Sequence, residues 1–289
     1  PQALQQLPEG LRRGRRNIGV WTWELPEFPQ EWRASFRLVD EVWVPSTFVR
    51  DAIGEDAPVP VHVVPHVVRQ PKGLFLGREH FGLPTDPFQF LAMYDTQSVM
   101  ERKNPQGAIE AFRRAFEPTD DTVSLVLKVN SAGDREVASL RKLAETHPNV
   151  HLVTDTLSRH AVDSLMACSD AFVSLHRAEG FGLPIAEAMA LGVPVIVTGW
   201  SGNMDFTDET TAALVDYELV ELERSHGPYP AGGHWAEPDL AQVIDWMRRL
   251  SADSGLCRSI GTAARHLIVG SNGPSVVGQV MADRLRSNR

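Results

Sequence analysis

Residues 171–198 of the chain have the sequence AFVSLHRAEGFGLPIAEAMALGVPVIVT. The run AFVSL at 171–175 is short and apolar, which is typical of a strand buried on both faces of a parallel sheet. Pro184 favours the first turn of a helix over 184–191, and Gly192 favours its end. A second apolar run follows at 193–198. The stretch therefore predicts strand, helix and neighbouring parallel strand, the βαβ unit of an α/β fold.

The same alternation extends towards the N-terminus from this unit. Further apolar runs suited to strands lie at 88–93, 124–129 and 150–153. Segments suited to helices follow them at 104–116, 136–146 and 158–167. Pro105 fits the first helical position after Asn104, and Ser158 is a candidate N-cap. We therefore predict a Rossmann-like, doubly wound parallel sheet with right-handed crossovers over residues 87–270.

The chain before this domain repeats the alternation on a smaller scale. Three short strands are predicted at 17–21, 41–44 and 59–64. Helices are predicted at 31–38 and, after the candidate N-cap Ser46, up to residue 53. Three strands are half of a doubly wound domain, so either its first part lies outside the chain or the domain is unusually small. We interpret residues 1–66 as a partial N-terminal Rossmann-like domain and the Gly- and Pro-rich residues 67–86 as a linker.

The segment after the last strand of the unit is polar. Glycines and prolines between 205 and 238 argue against helix and predict a long loop, which in a compact domain is usually functional or mobile. Three helices are predicted beyond it, at 238–251, 254–268 and 273–286.

Composition excludes several classes of function. The 289 residues carry a net charge of −9, which disfavours broad nucleic-acid binding. The two cysteines, Cys168 and Cys257, lack metal-ligand spacing, and so few thiols fit a reducing, cytoplasmic location. No apolar run is long enough for a membrane span. Four arginines within 12–16 fit a solvated helix end and a lipid- or partner-facing patch equally well.

The loop at 176–183 carries candidate ligand-binding groups. In an open α/β sheet, ligands bind outside the carboxyl ends of the strands, where this loop lies. Gly180 and Gly182 allow close approach of a ligand to the backbone, and free N–H groups at the helix start can hold a phosphate or a sugar hydroxyl. A tight turn alone would explain the two glycines. The pair Glu179 and Glu187, eight positions apart around GFGLP, is far more specific.

This segment resembles the EX7E motif of retaining GT-B glycosyltransferases of family 4, the glycosyl transferases group 1 type. The resemblance implies that Glu179 lies by the donor sugar as a catalytic residue and that Glu187 holds the ribose hydroxyls. It also implies that the backbone around Phe181, Gly182 and Leu183 contacts the sugar and the diphosphate.

The resemblance covers most of the chain. The runs GVWTWEL at 19–25 and EVWVPS at 41–46 are similar to the end of the acceptor-side domain of these enzymes. Trp23 and Glu24 are therefore candidate acceptor-side residues, with a core role as the alternative. The run WAEPD at 235–239 is similar to the start of the final helices. The last helix, within 271–289, is expected to cross back to the N-terminal domain.

A second constellation, ERKNP at 101–105, lies between a predicted strand and a helix. A pair of cations can stabilise the charge that develops on a leaving diphosphate without a metal ion. The family places a Lys at this turn, which implies a catalytic role for Lys103, usually with an Arg six positions earlier, where this chain has Gln97. Arg102 or Lys128 would then supply the second charge. Lys128, at the end of an apolar strand, alternatively snorkels to the sheet edge.

Further donor-side candidates follow other strands. In similar enzymes the backbone at Thr156 and Leu157 meets the nucleotide base, although the segment is also an ordinary helix N-cap. His176 faces the donor sugar or is a structural histidine. Asn203, in the glycine-rich segment 198–205, can bond a sugar hydroxyl.

The function that the resemblance implies is transfer of a sugar, with retained configuration, from a nucleotide diphosphate sugar to a glycan, lipid-linked or small-molecule acceptor. The leaving phosphate then helps to take the acceptor proton, and no nucleophilic side chain is needed. We expect no cofactor and no metal, because no ligand cluster of clear spacing is present. No nucleic-acid partner is expected, and peripheral membrane association through a missing N-terminal part is a further expectation.

Two alternatives to this interpretation stay open. A related enzyme of similar fold, such as a nucleotide-sugar epimerase or a sugar phosphorylase, would also bind such ligands. A donor-binding module without activity is the second alternative. A nicotinamide-binding enzyme is disfavoured, since no GxGxxG follows the first strand of either predicted domain.

Overall fold

A computed structural model describes residues 10, 14–54, 56–130 and 133–287. Its larger sheet has six parallel strands in the order β6-β5-β4-β7-β8-β9. These strands are β4 (Phe88–Asp95), β5 (Val123–Asn130), β6 (Val150–Val153), β7 (Ala171–Ser174), β8 (Val195–Thr198) and β9 (Ala213–Val215). The strand order reverses between β4 and β7, as in a doubly wound sheet. The predicted α/β fold is confirmed.

Helices cover both faces of this sheet. The α-helices in the described ranges are α1 (Thr47–Ile53), α2 (Met100–Lys103), α3 (Pro105–Ala115), α4 (Asp134–Ala144), α5 (Arg159–Ala167), α6 (Leu183–Leu191), α7 (Leu240–Ala252), α8 (Ser254–Asn272) and α9 (Pro274–Arg286). Of these, α1 and α9 pack against the N-terminal part of the chain and not against this sheet. Along β4, Phe90 and Ala92 join one apolar cluster with α3 and α7, whereas Leu91 joins another with α5 and α6. Each strand is therefore buried on both faces, which explains its continuous apolar sequence.

Local signals set the helix ends as predicted. The side chains of Ser46, Asn104 and Ser158 each accept a hydrogen bond from a backbone N–H in the first turn of α1, α3 and α5, respectively. Gly192 has φ 81° and ends α6 in the left-handed conformation that glycine adopts readily.

The smaller sheet consists of three parallel strands, β1 (Ile18–Val20), β2 (Glu41–Val44) and β3 (Val61–Val63). The helix predicted at 31–38 is a 3₁₀ segment, Gln30–Leu38. Shorter 3₁₀ segments occupy Arg78–Phe81 and Gly202–Asp205. From α9, Val277 packs in an apolar cluster with Trp43 and Val64, so the last helix contacts the smaller sheet.

The prediction of a long loop at 205–238 is wrong. This segment contains β9 and the antiparallel pair β10 (Tyr217–Glu221) and β11 (His234–Pro238). Strand β9 pairs in parallel with β8 and completes the larger sheet. The strands escaped the sequence analysis because β9 has three residues and β10 is largely exposed, so neither produces an apolar run or a buried alternation.

A third apolar cluster connects the two parts of the chain. It joins Trp23 and Phe28, which follow β1, to Tyr229 and Trp235 of the β10–β11 hairpin. Three aromatic rings, those of Phe28, Trp32 and Tyr229, have centroids 5.0 to 6.3 Å from that of Trp23. The hairpin thus binds the N-terminal segment to the larger domain.

The surface features predicted near the N-terminus are only partly described. Arg12 and Arg13 lie outside the described residues, and Arg16 forms an ion pair with Glu41 at 2.5 Å. Across the described ranges, we find no helix with the length and apolar character that a bilayer crossing requires.

Candidate functional site

The candidate site lies where the strand order of the larger sheet reverses. The loops after β4 and β7 meet here, and parallel strands present their carboxyl ends to this edge. Lys103 is the last residue of α2, which follows β4, and Glu179 lies in the loop after β7; both line one crevice. The crevice also includes Lys128 from β5, together with Gly182 and Pro184 at the start of α6. The structure thus brings together residues from three separate predicted motifs.

Glu179 is held by two cations. The Lys103 ammonium donates a hydrogen bond to Oε1, and the Arg102 guanidinium lies 3.4 Å from Oε2. Only 8% of Glu179 is exposed. Burial alone would raise the pKa of this carboxyl, but Lys103 and Arg102 outweigh burial and lower the pKa to about 2. Glu179 is therefore an enclosed carboxylate that is ionised at neutral pH.

Arg102 is buried and supplies the second positive charge beside Glu179. Its guanidinium donates a hydrogen bond of 2.6 Å to the carbonyl of Ala178 and lies over the ring of Tyr229, 5.8 Å from the centroid. Arg102 is one of the two residues, with Lys128, that the sequence offers as a second cation beside Lys103, and it lies within ion-pair distance of Glu179.

Lys128 faces the interior of the crevice. It is 1% exposed, and its ammonium donates to the Val129 carbonyl at 2.9 Å and to Asn130 Oδ1 at 2.7 Å. Burial lowers the pKa of this ammonium. The alternative that it snorkels to the sheet edge is not realised.

The GFG loop is fixed by its glycines. A Cβ on Gly180 would lie 2.9 Å from the Trp23 carbonyl oxygen, so the N-terminal segment leaves no room for a side chain. The Ser46 hydroxyl donates a hydrogen bond of 2.6 Å to the Gly180 carbonyl. Gly182 has φ 89° and precedes α6, whose N-terminal end lines the crevice at Pro184 and Ile185.

Glu187 lies further along α6 and does not line the crevice that holds Glu179. Its carboxylate pairs with Arg159 of α5 at 2.9 Å. Burial raises the pKa of Glu187, and Arg159 opposes that rise only in part. Glu179 and Glu187 thus lie on one continuous loop and helix. The pKa of Glu179 is lowered by its two cations, whereas the pKa of Glu187 is raised by burial.

His176 and Asn203 have both side chains fully enclosed. The imidazole Nε2 lies 2.9 Å from Asn203 Oδ1, and its Nδ1 lies 3.0 Å from the Ser174 hydroxyl. The Asn203 amide donates to the Thr198 carbonyl at 3.0 Å. Burial lowers the pKa of His176. The predicted sugar contacts of these two side chains are not available, because their polar atoms are used within the protein.

The other predicted donor-side residues differ in exposure. Thr156 is exposed and Leu157 is half-buried at the edge of the core. The Phe181 ring is buried against His66 and Phe206 and is not open to a ligand, whereas Leu183 is partly exposed.

Trp23 is a core residue and does not edge an acceptor cleft. It is 1% exposed, and its indole N–H donates to the Glu27 carbonyl at 2.7 Å. The prediction of an acceptor-side role fails for this side chain because the hairpin aromatic Tyr229 packs against it. Glu24 is half-buried and accepts a hydrogen bond of 3.1 Å from the Tyr229 hydroxyl, close to Arg102.

Two residues at the site were missed by the sequence analysis. Tyr229 lies in the segment predicted as a loop, and nothing in its sequence context indicates a contact with Arg102. Arg177 donates to both carboxylate oxygens of Glu237, at 2.5 and 3.0 Å, and to the Glu101 carbonyl at 2.5 Å. The sequence did offer one signal for Arg177, because it is a charged residue in the loop at 176–183. Over the ranges that the structure describes, no three His, Cys, Asp or Glu side chains form a metal-ligand group.

Part of the larger domain is similar to a known protein family. Residues 86–218 match the family model described as glycosyl transferases group 1. The chain has no significant match among curated protein sequences.

Solved structures with the same fold are glycosyltransferases and related synthases. Sucrose-phosphate synthase from Thermosynechococcus elongatus has 17% identity and a TM-score of 0.69, covering 99% of this chain and 69% of that chain. Anabaena HepE in complex with UDP and glucose has 15% identity and a TM-score of 0.67, covering 94% and 72%. A variant of S. aureus TarM in complex with fondaparinux, α-GlcNAc-glycerol and UDP has 13% identity and a TM-score of 0.68, covering 94% and 51%.

The present chain thus spans about half the length of the TarM chains that it matches. The likeness to these structures establishes the α/β fold with parallel sheets that GT-B glycosyltransferases share. Within that fold, the match to the glycosyl transferases group 1 model covers residues 86–218, a little under half of the chain.

Proposed function

We propose that the chain transfers a sugar from a nucleotide diphosphate sugar to a hydroxyl-bearing acceptor with retention of configuration. The observation that carries the proposal is the pairing of enclosed Glu179 with Lys103 and Arg102 at the reversal point of a group 1 domain. Fixed cations in an enclosed crevice suit a reaction whose leaving group gains negative charge.

Each part of the site has a role in this reaction. Lys103 and Arg102 stabilise the charge on the departing diphosphate, and the positive end of the α6 dipole, which lines the crevice, attracts its oxygens. Glu179 lies by the donor sugar and stabilises positive charge at its reacting carbon. Glu187 accepts hydrogen bonds from the ribose hydroxyls. Because its carboxylate already pairs with Arg159, the ribose must bind beside that ion pair or displace Arg159 from it.

The reaction proceeds on one face of the sugar. The bond between the anomeric carbon and the diphosphate oxygen breaks, and the acceptor oxygen bonds to that carbon from the same side. The acceptor proton passes to the departing diphosphate. No side chain forms a covalent bond, and we propose that the reaction needs no metal ion, since the two cations supply the positive charge.

The first donor to test is chosen from the ligands of solved structures with the same fold. HepE and TarM were solved with UDP, and HepE also with UDP-glucose. We therefore place UDP-glucose first among the donors to test, and a glycan, a lipid-linked sugar or a small molecule as the acceptor class.

A thermal-shift screen of UDP-, GDP- and ADP-sugars tests donor binding. A specific donor should raise the melting temperature in a concentration-dependent way, because a ligand that binds only the folded state stabilises it by mass action. Lys103→Ala should lose more affinity for UDP than for uridine, measured by calorimetry. Lys72→Ala, which removes an exposed lysine from the linker, is the matched control and should bind both as wild type does.

Product analysis then separates the alternatives. Transfer with retained anomeric configuration that persists in EDTA supports the proposal. A donor that binds without transfer to any acceptor identifies a binding module, and a donor whose sugar is altered without an acceptor identifies an epimerase. No stabilisation by any nucleotide sugar would contradict donor binding altogether.

A further inference from the structure

Ser201 has a backbone conformation that serine rarely adopts. Its φ is 77° and its ψ is −149°, in a region that is essentially restricted to glycine. Of the described residues, Asn104 is the other non-glycine with positive φ, and asparagine tolerates its left-handed conformation well. Ser201 therefore carries strain that its surroundings must maintain.

The strained residue contacts the backbone of Glu179. The Glu179 N–H donates a hydrogen bond of 2.9 Å to the Ser201 hydroxyl, and the Gly202 N–H donates one of 2.8 Å to the Glu179 carbonyl. Both backbone polar groups of Glu179 are thus bound by two consecutive residues of the loop after β8. The side chain of Glu179 is bound separately, by Lys103 and Arg102.

The loop after β8 and the GFG loop are in close contact at Gly202 and Gly180. A Cβ on Gly202 would lie 2.3 Å from the Gly180 carbonyl oxygen, so the backbones are in direct contact. Ser201 is 5% exposed, and water has little access to the Glu179 N–H. Glycine at 201 would relieve the strain but would leave this enclosed N–H without an acceptor. Serine is the smallest residue whose side chain supplies one.

We propose that Ser201 is a positioning residue: its strained backbone is retained because it places the hydroxyl where it fixes the Glu179 peptide, and hence the carboxylate, against Lys103 and Arg102. Ser201 acts through Glu179 and needs no contact with the donor. The proposal deepens the proposed function and rests on it for its kinetic consequence, whereas the hydrogen bond and its effect on Glu179 are independent of any substrate.

Three variants test the proposal. Ser201→Gly removes the hydroxyl and the strain together, so its melting temperature should stay close to that of wild type. Ser201→Ala removes the hydroxyl and keeps the strain, so it should melt at a lower temperature. Ser169→Ala is the matched control, because Ser169 is as enclosed as Ser201 and bonds to Gln89 and Leu165 at the opposite edge of the sheet. It should also melt at a lower temperature.

The readouts are amide exchange, the titration of Glu179, and turnover with UDP-glucose. In both Ser201 variants the Glu179 amide should exchange at least roughly tenfold faster, and the pKa of its carboxyl, followed by NMR, should rise. kcat should fall roughly tenfold or more with KM little changed, because misplacement of a catalytic group affects the chemical step. Ser169→Ala should match wild type in all three.

The outcomes separate the two proposals. Wild-type exchange and titration of Glu179 in Ser201→Gly would overturn the positioning role, as would an unchanged kcat. If wild type itself turns over no nucleotide sugar, the proposed function fails, and the exchange rate and the carboxyl titration still decide whether Ser201 fixes Glu179.

Discussion

Glu179 shows how one residue can be enclosed and ionised at once. Burial disfavours a carboxylate, but an ammonium and a guanidinium in direct contact favour it more strongly. Conversely, each cation is stabilised by the carboxylate that it faces. The group of three is therefore a preformed charge arrangement, and removal of Glu179 would leave two like charges side by side.

The acid stability of the protein should depend on this carboxylate. Its pKa falls from 4.5 to about 2 on folding, so its contribution is fully present above about pH 4.5 and is lost as the pH falls towards 2. Relative to Glu179→Gln, wild type should lose about 3 kcal/mol of unfolding free energy across that window. Urea unfolding at stepped pH values measures the difference.

The control for this experiment is Glu209→Gln, which changes an exposed glutamate. Its urea curves should follow those of wild type throughout. A gap between wild type and Glu179→Gln that stays constant from pH 6 to pH 3 would show that the carboxylate is not stabilised by its cations.

The position of a residue in the fold was predictable from sequence where a motif sets it. It was not predictable where contacts with residues distant in sequence set it. GFGLP with its glutamates and the ERKNP turn identified Glu179, Lys103 and the α6 start from sequence, because strand ends at one edge must meet. Sequence does not distinguish a histidine that faces a crevice from one enclosed by its neighbours. The enclosure of His176 depends on the partner Asn203, which lies on the next loop.

At the scale of elements, the sequence predicted what short-range signals control. Caps at Ser46, Asn104 and Ser158 and the glycine at 192 lie where helices begin and end, since these residues satisfy backbone groups locally. Strands β9 to β11 were missed because their pairing is determined by contacts distant in sequence. Their sequences show no strand pattern, because β9 is stabilised by pairing with β8 and the hairpin is stabilised by packing against the N-terminal aromatic residues.

Asn104 both adopts a left-handed backbone conformation and caps a helix with its side chain, and substitutions can separate these two effects. It ends α2 with φ 51° and ψ 49°, and its side chain caps α3 through the Gly107 N–H at 3.1 Å. Asn104→Gly removes only the cap and should cost below about 1 kcal/mol. Asn104→Ala also places a Cβ in the left-handed region, which adds about 1–2 kcal/mol.

Unfolding in urea gives both values. Ser158→Ala, at an N-cap with the ordinary φ of −64°, should cost about 1 kcal/mol and calibrates the cap alone. If the glycine and alanine variants of Asn104 were equally stable, the left-handed conformation would not contribute, and the cap would account for the whole effect.

At the scale of the whole molecule, the smaller sheet depends on the larger domain. Three strands bury little apolar surface by themselves. The missing burial comes from the hairpin, which packs Tyr229 and Trp235 against Trp23, and from α9, which packs Val277 against Trp43. The GFG loop adds polar contacts, including the bond from Ser46 to the Gly180 carbonyl. The site therefore forms only when both parts are folded.

The two parts should consequently unfold in a single transition. Four of the seven tryptophans lie within residues 17–66, so fluorescence reports mainly on the smaller part, whereas far-ultraviolet circular dichroism reports mainly on the helices of the larger one. Melting curves from the two probes should coincide, as they do for a cooperative unit. Trp23→Ala, which empties the centre of the shared aromatic cluster, should cost about 3–5 kcal/mol and lower both curves together. Fluorescence that melts well before the dichroism in wild type would mean that the contacts through the hairpin and α9 are too weak to couple the parts, and the Ser46 bond to the GFG loop would then break before the larger domain unfolds.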